Sequence, residues 1–170
     1  MSNTSSKTAA HASGSHRGKS VHEDLYDQPG HLIRRANQIA GGMFAELVGQ
    51  GDITPLQYAI LRMVRESPGI DQVGLARSIA LDTSTTALTA ARLQTKGLLS
   101  RQTHETDRRQ LRLTLTPEGE ALMDRLVDAV HVMRERLLDP LSTEEQELFM
   151  ELLRKFVHLN NDRSRAPRQD

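Results

Sequence analysis

The run Leu81-Asp82-Thr83-Ser84-Thr85-Thr86-Ala87-Leu88-Thr89-Ala90-Ala91-Arg92-Leu93-Gln94-Thr95-Lys96-Gly97-Leu98, followed on to Gly119, changes its period in a way that decides the fold. Asp82 stands where a helix N-cap belongs, and Lys96-Gly97 where a helix ends, with glycine just past the last turn. Leu98–Thr103 and Gln110–Leu115 then read as short strands. In the second, Leu111, Leu113 and Leu115 alternate with polar residues, the pattern of a half-buried strand. His104-Glu105-Thr106-Asp107-Arg108-Arg109 between them is a charged hairpin tip. Upstream, Asp71 can cap a short helix carrying Val73, Leu75, Ala76 and Ile79. Two helices joined by a short turn make a helix-turn-helix, and the added hairpin makes it winged.

The flanks are helical. Thr54 as N-cap and Pro55 at the first helical position start a helix through Leu56, Ile60, Leu61 and Val64, which Ser67-Pro68-Gly69 stops. An earlier helix runs from about Pro29 to Val48, and Leu32, Ala36, Ile39, Met43 and Leu47 predict one buried stripe. Gly41-Gly42 lies inside it and weakens the helix by about 1 kcal/mol per glycine. Thr116-Pro117-Glu118 opens a long helix to Leu138, with Gly119 in place of the acidic member of a capping box. Asp139-Pro140 ends it, and Ser142-x-x-Glu145 is a capping box for a last helix to His158. Residues 1–27 are rich in Ser, Thr, Gly, His and Ala and read as a disordered arm; 161–170 reads as a frayed tail. The expected fold is mainly α with a small β-wing.

The 170 residues hold 22 basic and 22 acidic side chains, which argues against a histone-like or tail-driven nucleic-acid binder. That balance hides opposed parts. Residues 72–116 carry seven basic and three acidic side chains, whereas 117–170 carry eight and twelve. Without cysteine, disulfides, thiol catalysis and Cys-ligated zinc are excluded. Five aromatics make a poor RNA-stacking platform. No apolar run approaches the roughly 18 residues of a membrane helix, and no signal-peptide core opens the chain, so a cytoplasmic protein without membrane contact is expected.

Asp107-Arg108-Arg109, followed by Leu115-Thr116-Pro117-Glu118-Gly119, resembles the wing tip and wing exit of the MarR family of bacterial transcription regulators. Leu81-Asp82-Thr83-Ser84-Thr85-Thr86, running into Arg92-Leu93-Gln94-Thr95-Lys96-Gly97-Leu98, is similar to that family's recognition helix and the turn after it. The resemblance spans roughly residues 30–160 and implies one domain over 28–160. Within it, 28–50 and 117–160 would be dimerisation helices and 53–116 the winged helix-turn-helix. It implies a homodimer on a pseudo-palindromic double-stranded operator, usually a repressor released by a small ligand, associated with the nucleoid when bound.

By carry-over, Arg109 is the wing arginine, Asp107 orients it or a neighbour, and Arg108 and Arg112 reach phosphate or solvent. The alternative is a solvated turn whose charges keep a hairpin soluble. Thr83, Ser84 and Thr85 sit at the helix N-terminus, where hydroxyl and free N–H groups favour phosphate. Ala87 and Leu88 stand where many relatives are polar or basic; they either touch a thymine methyl or, for Leu88, pack inward. Arg77, Arg92, Lys96 and Arg101 are phosphate-contact candidates or ordinary surface charges.

For an effector, His31, Arg34, Arg35 and Gln38 on the first helix, with Tyr58, are the candidates. An arginine there can hold a carboxylate through a bidentate pair, or the same residues can form intersubunit salt bridges. Arg34 and Arg35 point about 100° apart, so at most one faces a given pocket. The first-helix pattern is similar to regulators of aromatic-acid or hydroxylated nicotinate catabolism. No histidine spacing on a helix suits a metal, no nucleophile elbow surrounds Ser84, and no glycine-rich phosphate loop occurs, so neither cofactor nor enzyme activity is expected. Two other readings stay open: a ligand-insensitive architectural DNA binder, and a helical interaction module without DNA binding.

Overall fold

The computed structural model describes residues 25–48, 52–103, 111–164 and 166–168. Their elements run α1 (Pro29–Leu47), α2 (Pro55–Glu66), β1 (Ile70–Asp71), α3 (Gln72–Ser78), α4 (Thr83–Thr95), β2 (Leu99–Thr103), β3 (Leu111–Leu115), α5 (Pro117–Leu138), α6 (Thr143–Leu159) and a 3₁₀ turn (Asn161–Arg163). The chain divides into two compact units, Met1–Asn37 and Gln38–Asp170, and α1 begins in the first and ends in the second. Among the described residues no helix is long and apolar enough to cross a membrane.

The caps explain where the helices begin. Thr54 Oγ1 accepts from Gln57 N at 3.2 Å and Gln57 Oε1 accepts from Thr54 N at 3.1 Å, a reciprocal box with Pro55 at the first helical position. Asp71 and Asp82 cap α3 and α4 by accepting from Gly74 N and Thr85 N at 2.7 and 2.8 Å. Ser142 and Glu145 close the expected box at α6. Both helices of the helix-turn-helix also end alike. Leu81 N donates to Ala76 O at 2.9 Å and Leu98 N to Leu93 O at 3.0 Å, each across a left-handed residue. That residue is Gly97 (φ 71) after α4, but Ala80 (φ 53) after α3.

The hairpin belongs to a three-stranded antiparallel sheet of order β1-β3-β2, with Ile70 opposite Leu113 and Leu99 opposite Leu115. The sequence did not show β1, because two residues are too short to display an alternation. Gly119 explains the glycine of the wing exit: a Cβ there would lie 2.2 Å from the Leu98 carbonyl oxygen. Thr116 Oγ1 donates to Gly97 O at 2.6 Å, so the first turn of α5 is tied to the end of α4.

Fully buried Val48, Ile60, Leu61, Val64, Leu75, Ala90, Leu93 and Leu113 form the centre of the core. Of α1 only Phe44 is buried, and Leu32 and Ile39 are about half exposed at 52% and 47%. The helical period was right, but an apolar stripe is buried only where a partner surface exists. Near the C-terminus, Asn161 Nδ2 donates to Arg168 O and Arg168 N to Asn161 Oδ1, at 3.0 and 2.9 Å.

Candidate nucleic-acid interface and effector cleft

α4 turns two threonines inward and a mixed face outward. Thr86 and Thr89 are buried, and their hydroxyls donate back to Asp82 O and Thr85 O at 2.9 and 2.8 Å. Thr83, Ser84, Leu88, Arg92, Gln94 and Thr95 are exposed, while Thr85, Ala87 and Ala91 are half-buried. Leu88, at 54% exposure, faces outward rather than into the core. The outward face is thus hydroxyl and apolar in its first half, with its first cation, Arg92, in the last turn.

The N-terminus of α4 is already occupied by an anion. Asp82 accepts from Ser84 Oγ at 2.5 Å and from Thr85 N at 2.8 Å. Chiefly the Ser84 hydrogen bond, then the Thr85 amide, lowers its carboxyl from 3.8 to about 2. The Ser84 proton and the Thr85 amide are therefore engaged within the protein, which leaves Thr83 as the hydroxyl at this end with no such engagement among the described residues.

Two expected phosphate cations are held by the fold. Arg101 Nη2 donates to Ala87 O at 2.9 Å, fastening β2 to the middle of α4, and its Nε is shielded without a hydrogen-bond partner among the described residues. Lys96 Nζ pairs with Asp52 Oδ2 at 3.0 Å and also donates to the Asp52 carbonyl. For both side chains the geometry supplies internal acceptors, on Ala87 and Asp52. Arg77 and Arg92 are exposed. Asp107, Arg108 and Arg109 lie outside the described residues.

A cleft of about 200 Å³ opens between α2 and α5. Met123, Val127 and Val130 form its apolar side, and Tyr58, Arg62, Arg65, His131 and Arg134 its polar rim. The Tyr58 ring lies against Phe44, with centroids 5.9 Å apart. Arg62 bonds Glu66 at 2.6 Å, which raises its already high pKa. Arg65 pairs with Glu120 at 3.1 Å and with Asp124. His131 faces Glu135 at 3.5 Å. Arg134 has no carboxylate partner among the described residues, so it is the rim cation with charge to spare.

Of the effector candidates, Tyr58 is on this rim. His31, Arg34 and Arg35 stand on the stretch of α1 belonging to the first unit, where Tyr26 meets His31 edge-on at 5.4 Å. His31 Nε2 is shielded and has no hydrogen-bond partner among the described residues. Gln38 is the exposed first residue of the second unit. The sequence reading missed Arg62, Arg65, His131 and Arg134. Their signal was the helical spacing of 58, 62 and 65 and of 127, 131 and 134, which puts each set on one face.

A capped second helix held between a core and a β-hairpin defines a winged helix-turn-helix. The MarR family's sequence profile matches residues 53–111. Transcriptional regulator HosA of Escherichia coli is 37% identical over 107 residues, covering 63% of this chain and 79% of HosA. The crystal structure of the transcriptional regulator PcaV from Streptomyces coelicolor with its natural ligand superposes with a TM-score of 0.75 at 35% identity, over 79% of this chain and 95% of that one. A mutant of MarR from E. coli, complexed with operator DNA, gives 0.71 at 26% identity, over 75% and 92%. The chain belongs to the MarR family. It is a DNA-binding transcriptional regulator, and its family is one of regulators rather than enzymes.

Proposed function

We propose that this chain is a homodimeric repressor of a catabolic operon, released from a pseudo-palindromic operator by a small aromatic carboxylate. The observation that carries the effector is the α2–α5 cleft: an apolar wall for a ring, Tyr58 beside it, and at the rim Arg134, without a carboxylate partner among the described residues. PcaV, similar over most of its length, is known with a natural ligand, which supports a ligand-responsive reading. The MarR–operator complex supports DNA as the partner. On the operator, Thr83, Ala87, Leu88 and Arg92 face the major groove and Arg109, oriented by Asp107, enters the minor groove beside Arg108.

α2 packs on α4, and the first turn of α5 is bonded to the end of α4. A ligand bridging α2 and α5 therefore fixes the placement of α4. Half-sites lie about 34–36 Å apart, so a displacement of a few ångströms ends simultaneous fit. The test is release of a fluorescent operator by benzoates, hydroxycinnamates and hydroxynicotinates. An active compound is expected, and Arg134→Gln should need about tenfold more of it, the loss of one charge-assisted hydrogen bond. Release by no aromatic acid, or an unaltered response in the variant, would overturn the effector assignment.

A further inference from the structure

We propose that Leu88 reads its operator through the 5-methyl group of thymine, so that methyl contacts, rather than hydrogen bonds to guanine, carry base discrimination in the first half of α4. Leu88 is 54% exposed in the middle of the helix, while the other large apolar residue of α4, Leu93, is fully buried. Half-buried Ala87 and Ala91 flank it and widen an apolar spot on an otherwise polar face. The residues that read guanine or adenine in a major groove are Arg, Lys, Asn and Gln. None occurs in α4 before Arg92, and recognition helices contact bases mainly through their N-terminal part.

Among the described residues of the first half of α4, Thr83 at its very end is the hydroxyl left to meet a base, and it lies more than a helical turn before Leu88. The Ser84 proton is spent on Asp82, and Thr86 and Thr89 are buried and bonded to the helix backbone. Arg101, the cation that reaches this part of the helix from β2, donates to the Ala87 carbonyl. What α4 offers at its centre is a leucine side chain, and the thymine methyl is the apolar group that base pairs present in the major groove. This inference rests on α4 being the DNA-reading helix.

The experiment uses the full chain. Duplexes are selected from a random library, and each thymine of the selected site is replaced singly by uracil, which removes only the methyl. One position in each half-site should lose affinity about fourfold, the worth of one buried methyl-sized group. Leu88→Ala should bind more weakly, keep the wild-type melting curve because the residue is exposed, and become indifferent to uracil at that position alone. Wild-type binding insensitive to every replacement, or a Leu88→Ala variant as sensitive as wild type, would overturn the methyl contact while leaving DNA binding in place. Selection of no duplex at low salt would overturn both. Loss of a protein partner in Leu88→Ala with unchanged operator affinity would assign the leucine to protein contact and also overturn it.

Discussion

At the scale of single residues, the two helices of the helix-turn-helix end on different left-handed residues. Ala80 sits at φ 53, where an alanine Cβ crowds the following carbonyl. Gly97 does the same job after α4 without that penalty. Ala80→Gly is therefore expected to stabilise the fold by about 1 kcal/mol, less some chain entropy, read as a raised urea midpoint. Asp82 makes the second case. Its folded carboxyl is lowered from 3.8 to about 2, so its contribution is complete above about pH 4 and is lost as pH falls through about 2. Asp82→Asn keeps a capping oxygen but removes this titration. The difference in urea midpoint between near-neutral pH and about pH 2.5 should shrink in the variant.

Among elements, the joint between the hairpin and α4 fixes where α4 sits. Arg101 spans it, from β2 to Ala87 O, while Gly119 lets the first turn of α5 close on the Leu98 carbonyl. Salt dependence separates a residue that positions α4 from one that touches phosphate. Each lost phosphate contact flattens the slope of log affinity against log salt by about 0.9. Arg101→Gln should weaken operator binding with the slope preserved, whereas Arg92→Gln should weaken it and flatten the slope. A flattened slope in Arg101→Gln would return that residue to the phosphate contacts.

At the scale of the whole molecule, α6 has no buried residue, yet Leu148, Phe149, Leu152, Phe156 and Val157 are all 43–60% exposed. Five such side chains at helical spacing form a face that water does not favour, each worth about 1.5–3 kcal/mol on full burial. A second copy of the chain is the expected cover. The double variant Leu152→Glu and Phe156→Glu should run as a helical monomer in light scattering and lose about 100-fold in operator affinity, since one half-site then binds alone. A dimer of unchanged affinity would place the interface elsewhere.

The sequence alone determined what depends on neighbours a few residues away. Asp71, Thr54, Asp82 and Ser142 cap helices because each must satisfy backbone N–H groups two or three residues on, and Leu111, Leu113 and Leu115 alternate because strands do. Local rules also sufficed for the family resemblance, since its motifs are caps, turns and a wing exit. Tertiary structure decided the partners of long side chains. Whether Arg101 and Lys96 meet phosphate or an internal carbonyl depends on residues 14 and 44 positions away, and the arginines of the α2–α5 cleft converge only once two helices pack. The same holds for burial: a helical period says which residues share a face, but only packing says whether that face is covered, as the exposed stripe of α1 and Leu88 of α4 both show.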